Sequence, residues 1–72
     1  MEHTKTFAER FFELVDESEL SLQAIADKIC VSTNMLERYM RGTSRPNLRV
    51  LRNICMLFHV SADYLLGLKD KT

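Results

Sequence analysis

The chain has 72 residues, room for one domain around one core. With 2 Gly and 1 Pro against 46% hydrophobic residues, its composition speaks against disorder and against a turn-rich all-β fold. Net charge is zero, from 10 basic and 10 acidic side chains, and the sequence carries neither a signal-peptide pattern nor an apolar run near the roughly 20 residues of a membrane span.

The first helix is expected over residues 6–17, opened by Thr6 and Glu9 at capping-box spacing. Phe7, Phe11, Leu14 and Val15 form its apolar stripe, with Ala8 and Phe12 beside it, and Glu9, Glu13, Asp16 and Glu17 form an acidic opposite side. A second helix follows over residues 22–29 and a third over residues 33–41. Ser21 and Ser32 each stand where a hydroxyl can accept from the free N–H groups of a helix start. Two helices this short, packed through Ile25, Ala26, Ile29, Val31 and Leu36, make a helix-turn-helix. Gly42 stops the third helix, and GTSRPN is a loop in which Pro46 biases Arg45 away from helix. A fourth helix begins after Asn47, with Leu48, Leu51, Ile54, Cys55 and Phe58 at helical spacing. Ser61 caps a fifth, which carries Tyr64, Leu65 and Leu66 and ends at Gly67; the tail KDKT is expected to fray.

The two cysteines, Cys30 and Cys55, read as reduced, buried thiols of a cytoplasmic protein. There is no CxxC, and His3 and His59 lack ligand-like spacing to either, so neither a metal nor a cofactor is expected. A nucleophile–base constellation and a phosphate-cradling glycine loop are also lacking, which argues against an enzyme.

The zero net charge hides a strong asymmetry. Residues 1–27 hold 2 basic and 7 acidic side chains. Residues 28–53 hold 6 basic ones (Lys28, Arg38, Arg41, Arg45, Arg49, Arg52) against Glu37 alone. Binding responds to the local field, so a neutral chain can present a basic face to nucleic acid; the alternative is a solvated surface of mixed charge.

On a helical wheel, Thr33, Asn34, Glu37, Arg38 and Arg41 share one arc of the third helix, opposite Met35, Leu36, Tyr39 and Met40. The polar arc matches the chemistry of base edges. Asn34 can pair bidentately with adenine, Arg38 with guanine or a phosphate, Glu37 can accept from cytosine, and Thr33 can meet a thymine methyl or a phosphate. Thr33, Asn34, Glu37 and Arg38 lie in the part of the helix that enters the major groove and are the expected base readers. Arg41, Thr43, Ser44, Arg45 and Asn47 lie at or beyond its end and are expected at phosphates. The plainer reading leaves this face solvated, with Glu37 paired to Arg41 at i,i+4.

These pieces resemble the phage repressor and Cro-like, or Xre-type, helix-turn-helix family over about residues 7–68. The matching segments are Leu20 with Ser21, IADKI at 25–29, Val31 with Ser32, Leu36 and Arg38, Arg41 with Gly42, RPN at 45–47 and VSADYLLGL at 60–68. The resemblance implies an all-α fold: a compact five-helix bundle containing the helix-turn-helix, of the lambda-repressor-like type, as a single domain over residues 1–72 with frayed ends. It also implies that the third helix reads a double-stranded DNA operator as part of a transcriptional regulator, repressor-like in kind, and that two domains bind half-sites about one helical turn apart.

Three positions depart from the family pattern. Leu22 stands where the family has Gln, and Gln23, one step on, is the candidate for its phosphate contact. Cys30 replaces a turn Gly at a cost of about 1 kcal/mol or a different turn. Met40 replaces a Glu.

A homodimer is expected, with Phe58, His59, Val60, Tyr64 and Leu68 as its contact. The competing function is a protein-interaction module or antitoxin on the same fold, with a protein partner and weak or no DNA reading. It is suggested by the neutral total, the acidic first helix, Glu37, and Met35 and Met40 at the edge of the core.

Overall fold

Every helix starts at the cap residue the sequence marks for it. In the computed structural model, which describes residues 5–68, α1 spans Phe7–Glu17, α2 Leu22–Ile29, α3 Thr33–Arg41, α4 Leu48–Phe58 and α5 Ala62–Leu65. Thr6 and Glu9 form the capping box of α1: the Thr6 hydroxyl accepts from the Glu9 N–H at 3.2 Å, and the Glu9 carboxylate accepts from the Thr6 N–H at 2.8 Å. Ser21, Ser32, Asn47 and Ser61 open the other four helices, each accepting from the backbone N–H three residues on. Among the described residues there is no strand, and no helix is long and apolar enough to cross a membrane. The tail KDKT lies outside the described residues.

The core is one cluster. Phe11, Ile25, Ala26, Ile29, Leu36, Ile54 and Leu65 are fully buried, and Val15, Tyr39, Val50 and Val60 nearly so. All five helices contribute to it or close it: α3 rests on α1 and α2, α4 on α2 and α5, and α1 on α5. Phe11 is its aromatic hub, stacked on Phe7 at 5.5 Å and edge-on to Tyr39 and Phe58 at 6.4 Å. Two polar ties complete the frame. Arg10, only 5% exposed, lies 4.4 Å from the centre of the Tyr64 ring and donates from Nη1 to the Tyr64 carbonyl at 3.0 Å, which locks α1 to α5. Asn53 donates from Nδ2 to the Ile29 carbonyl at 3.2 Å, satisfying an orphan acceptor at the end of α2 from a side chain of α4.

Four side chains differ from expectation. Leu48, placed on the core stripe of the fourth helix, is 84% exposed, and Val50 is buried in its stead. As the first residue after the cap, Leu48 shares the outer arc of α4 with Arg52, so the buried stripe runs through Val50, Ile54 and Phe58 instead. Leu66 follows α5 rather than belonging to it and is exposed, because the chain turns there through Gly67 at φ +81°. Cys30 is a free thiol but an exposed one, since the turn it occupies points its side chain outward; Cys55 is half-buried. Val60, named for a dimer contact, belongs to the monomer's own core.

Candidate nucleic-acid interface

The helix-turn-helix is built by three local devices between Ala26 and Met35. α2 closes on Cys30, which takes the left-handed conformation at φ 67°, ψ 44°. That turn lets the Val31 N–H bond back to the Ala26 carbonyl at 3.0 Å, the six-to-one bond of a Schellman close. Two residues later Ser32 returns to an extended conformation and caps α3 through the Met35 N–H at 3.1 Å. The substitution of Cys for Gly thus leaves the left-handed turn intact and carries its steric cost in place. Leu36 and Tyr39 then sink into the core and Met35 and Met40 pack at its edge, which fixes the rotation of α3 about its axis. Burial pushes the Tyr39 phenol above its ordinary pKa, so it stays neutral beneath the outer face.

The rotation leaves Asn34, Glu37, Arg38 and Arg41 exposed together on the outer face of α3. Thr33 is at its start, half-buried between that face and the turn. The Glu37 carboxylate and the Arg41 guanidinium are 4.0 Å apart, an exposed i,i+4 pair. Such a pair contributes a few tenths of a kcal/mol and is readily exchanged for a ligand.

α3 ends at Gly42, φ +82°, where an added Cβ would lie 3.3 Å from the Cβ of Ala8 on α1. Thr43 folds back there, its N–H and hydroxyl reaching the Arg38 carbonyl at 3.0 and 3.3 Å. Ser44 is half-buried and Arg45 exposed, both beside Thr6 and Phe7 at the start of α1. Asn47 spends its Oδ1 on the Val50 N–H at 2.9 Å, which leaves its amide NH2 for a ligand. Gln23 is on the exposed side of α2, its amide nitrogen donating to Asp27 Oδ1 at 2.9 Å.

The fold therefore brings together the four residues expected at bases, Thr33, Asn34, Glu37 and Arg38, with Arg41 on one helix face and Thr43, Ser44, Arg45 and Asn47 on the loop that follows it; Gln23 stands on α2 with its donor engaged. What sequence reasoning missed are the polar ties of the frame around α3, Asn53 of α4 to Ile29 of α2 and Arg10 of α1 to Tyr64 of α5. Neither has a signal in local periodicity, since each joins residues more than twenty positions apart. Among the described residues no group of His, Cys, Asp and Glu could hold a metal ion.

Two short capped helices crossing at a left-handed turn, with the second presenting a polar face, define a helix-turn-helix domain. The chain belongs to the phage repressor and Cro-like helix-turn-helix family: the family's model, described as helix-turn-helix, matches residues 13–65. Its fold is similar to that of the P22 c2 repressor in a crystal structure with a synthetic operator, at TM-score 0.84 and 23% identity over 92% of this chain and 100% of that one. The solution structure of the P22 c2 repressor DNA-binding domain matches at TM-score 0.83 and 22% identity, over 99% of this chain and 92% of that one. A transcriptional regulator from Listeria innocua matches at TM-score 0.81 and 31% identity, over 93% of this chain and 63% of that one. No curated protein gives a significant sequence match.

Proposed function

We propose that this protein is a sequence-specific double-stranded DNA-binding transcriptional regulator, cytoplasmic and repressor-like, that lays α3 in the major groove. The observation that carries this reading is the exposed polar face of α3, four donor- and acceptor-bearing side chains held on a helix whose opposite face is locked in the core. Membership of the family supports it, as does the operator-bound state of the similar P22 c2 repressor. Thr33, Asn34, Glu37 and Arg38 read bases. Arg41, Thr43, Ser44, Arg45 and Asn47 hold phosphates, with Gln23 joining them once it releases Asp27. The alternative, a protein-interaction module or antitoxin on the same fold, is not better supported than this reading.

Dimerisation on DNA is part of the proposal. With Val60 committed to the core, the contact falls to Phe58, His59, Tyr64 and Leu68, of which His59 and Leu68 are exposed. Two copies so joined would meet half-sites about 34 Å apart.

The test is selection of bound DNA from a random pool, followed by a salt series on the winner. Affinity for the selected site is expected to fall steeply as salt rises, because each neutralised phosphate releases counterions. Asn34→Ala and Arg38→Ala should relax preference at particular base pairs, by about 1–3 kcal/mol of discrimination each, whereas Arg45→Ala weakens all sequences alike. A pool that yields no preferred site at low salt overturns the reading, and equal losses from all three variants overturn the division of roles.

A further inference from the structure

Two surface patches outside the proposed DNA face are complementary to each other. On the outer side of α1, Phe12 is 48% exposed, next to Asp16 one turn on, with Glu17, Glu19 and Leu20 beyond, all exposed. On the outer side of α4, Met56 is 61% exposed, with Arg52 one turn before it and Arg49 one turn before that. Lys28 of α2 joins this second patch: it lines a shallow depression with Asn53, Met56 and Leu57. Each patch thus sets an exposed large apolar side chain among charges of a single sign, and the signs are opposite. Among the described residues, Asp16, Glu19, Lys28, Arg49 and Arg52 take part in no ion pair within the chain, in contrast to Lys5 with Glu13 and Arg41 with Glu37.

We propose that copies of this chain associate head to tail, the acidic patch around Phe12 of one copy docking on the basic patch around Met56 of the next. Charge complementarity selects the occupant. The acidic half of the chain needs a basic surface with an apolar seat, and the chain's own α4 face is one; a neutral total lets copies approach without mutual repulsion. The depression beside Met56 receives the Phe12 ring, and Asp16 and Glu19 come to Arg52, Arg49 and Lys28. The contact is heterologous, since each copy offers a different patch at each end, so it propagates beyond a pair. It uses neither α3 nor the α5 contact proposed for the dimer.

Sedimentation velocity of the full chain without DNA tests this. At low salt the weight-average mass should climb with concentration past the dimer, and high salt should reverse the climb, whereas an α5 contact resting on apolar side chains survives salt. Asp16→Lys and Arg52→Glu each turn an attraction into a repulsion and should weaken this association about tenfold when the variant is alone. Mixing the two variants pairs the new lysine with the new glutamate, and the natural aspartate with the natural arginine, so the mixture should regain the association both had lost. Both positions are exposed, and unchanged thermal unfolding of each variant checks that folding is intact. A wild-type mass that stays at monomer or dimer at every concentration overturns the proposal, as does association that ignores either substitution or a mixture that fails to recover.

Discussion

Glu37 is the side chain at which charge and selectivity pull in opposite directions. It stands on the exposed face of α3 with Asn34 and Arg38, 4.0 Å from Arg41. A carboxylate there repels phosphates but can accept a hydrogen bond from a cytosine amino group, so in the proposed base-reading role it would cost affinity everywhere and return it at one base pair. Glu37→Gln should therefore bind non-specific DNA several-fold more tightly and lose part of the ratio between selected and random sequence, as read by competition titration at fixed salt. Cys30 poses the corresponding question for stability. Its φ of 67° places a Cβ where L-residues pay about 1–2 kcal/mol, and its exposed side chain returns no packing. Gly at that position avoids the clash but has more freedom to lose on folding, so Cys30→Gly should gain a net stability of about 0.5–1 kcal/mol, measured by urea unfolding. Cys55, half-buried and with its thiol pushed above its ordinary pKa by burial, plays no part in that gain.

Among the elements, α3 depends most on its ends, because nine residues are too few to be helical on propensity alone. Its start rests on one hydroxyl, the Ser32 oxygen on the Met35 N–H. Ser32→Ala should cost about 1 kcal/mol of stability and fray the first turn, where Thr33 and Asn34 stand. DNA affinity should fall further than stability alone accounts for; equal losses in the two measurements would mean that the first turn stays formed without its cap. The same local devices explain what the sequence disclosed. Thr6 with Glu9, Ser21, Ser32, Asn47 and Ser61 are short-range signals, and the bounds of α2 and α3 followed from them to the residue. Which arc of a helix faces inward is set by partners far along the chain. That is why periodicity places Leu48 and not Val50 on the core stripe, and why Arg10, a charged residue on a mostly apolar arc, gives no hint of its place over Tyr64. The exposed polar face of α3 is legible because its polar and apolar arcs separate cleanly. The engagement of Gln23 with Asp27 rests on side-chain conformations, which periodicity leaves undetermined.

At the scale of the molecule, a single small core supports both folding and recognition, so stability and DNA binding are linked. Chains of this length hold a margin of only about 5 kcal/mol, while truncating a fully buried leucine costs about 2–5 kcal/mol. Leu36 is such a residue, and it lies on the inner face of the helix whose outer face carries Asn34, Glu37 and Arg38. Leu36→Ala should bring the protein close to unfolding at 37 °C, with a midpoint lower by at least about 10 °C, since each kcal/mol moves the midpoint of a domain this size by about 4–8 °C. The milder Ile54→Val, in the part of the core supplied by α4, should lower it by only about 1 kcal/mol in equivalent terms. Operator DNA binds the folded state alone, so the selected sequence at a hundred times its Kd should return about 2.7 kcal/mol to any variant that keeps its affinity. Ile54→Val, remote from the reading face, should recover its full shift. Leu36→Ala should recover less, because the loss of its side chain also lets α3 rotate away from the groove. Thermal unfolding with and without the operator separates the two, and identical recovery in both variants would show that the packing beneath α3 does not aim its outer face.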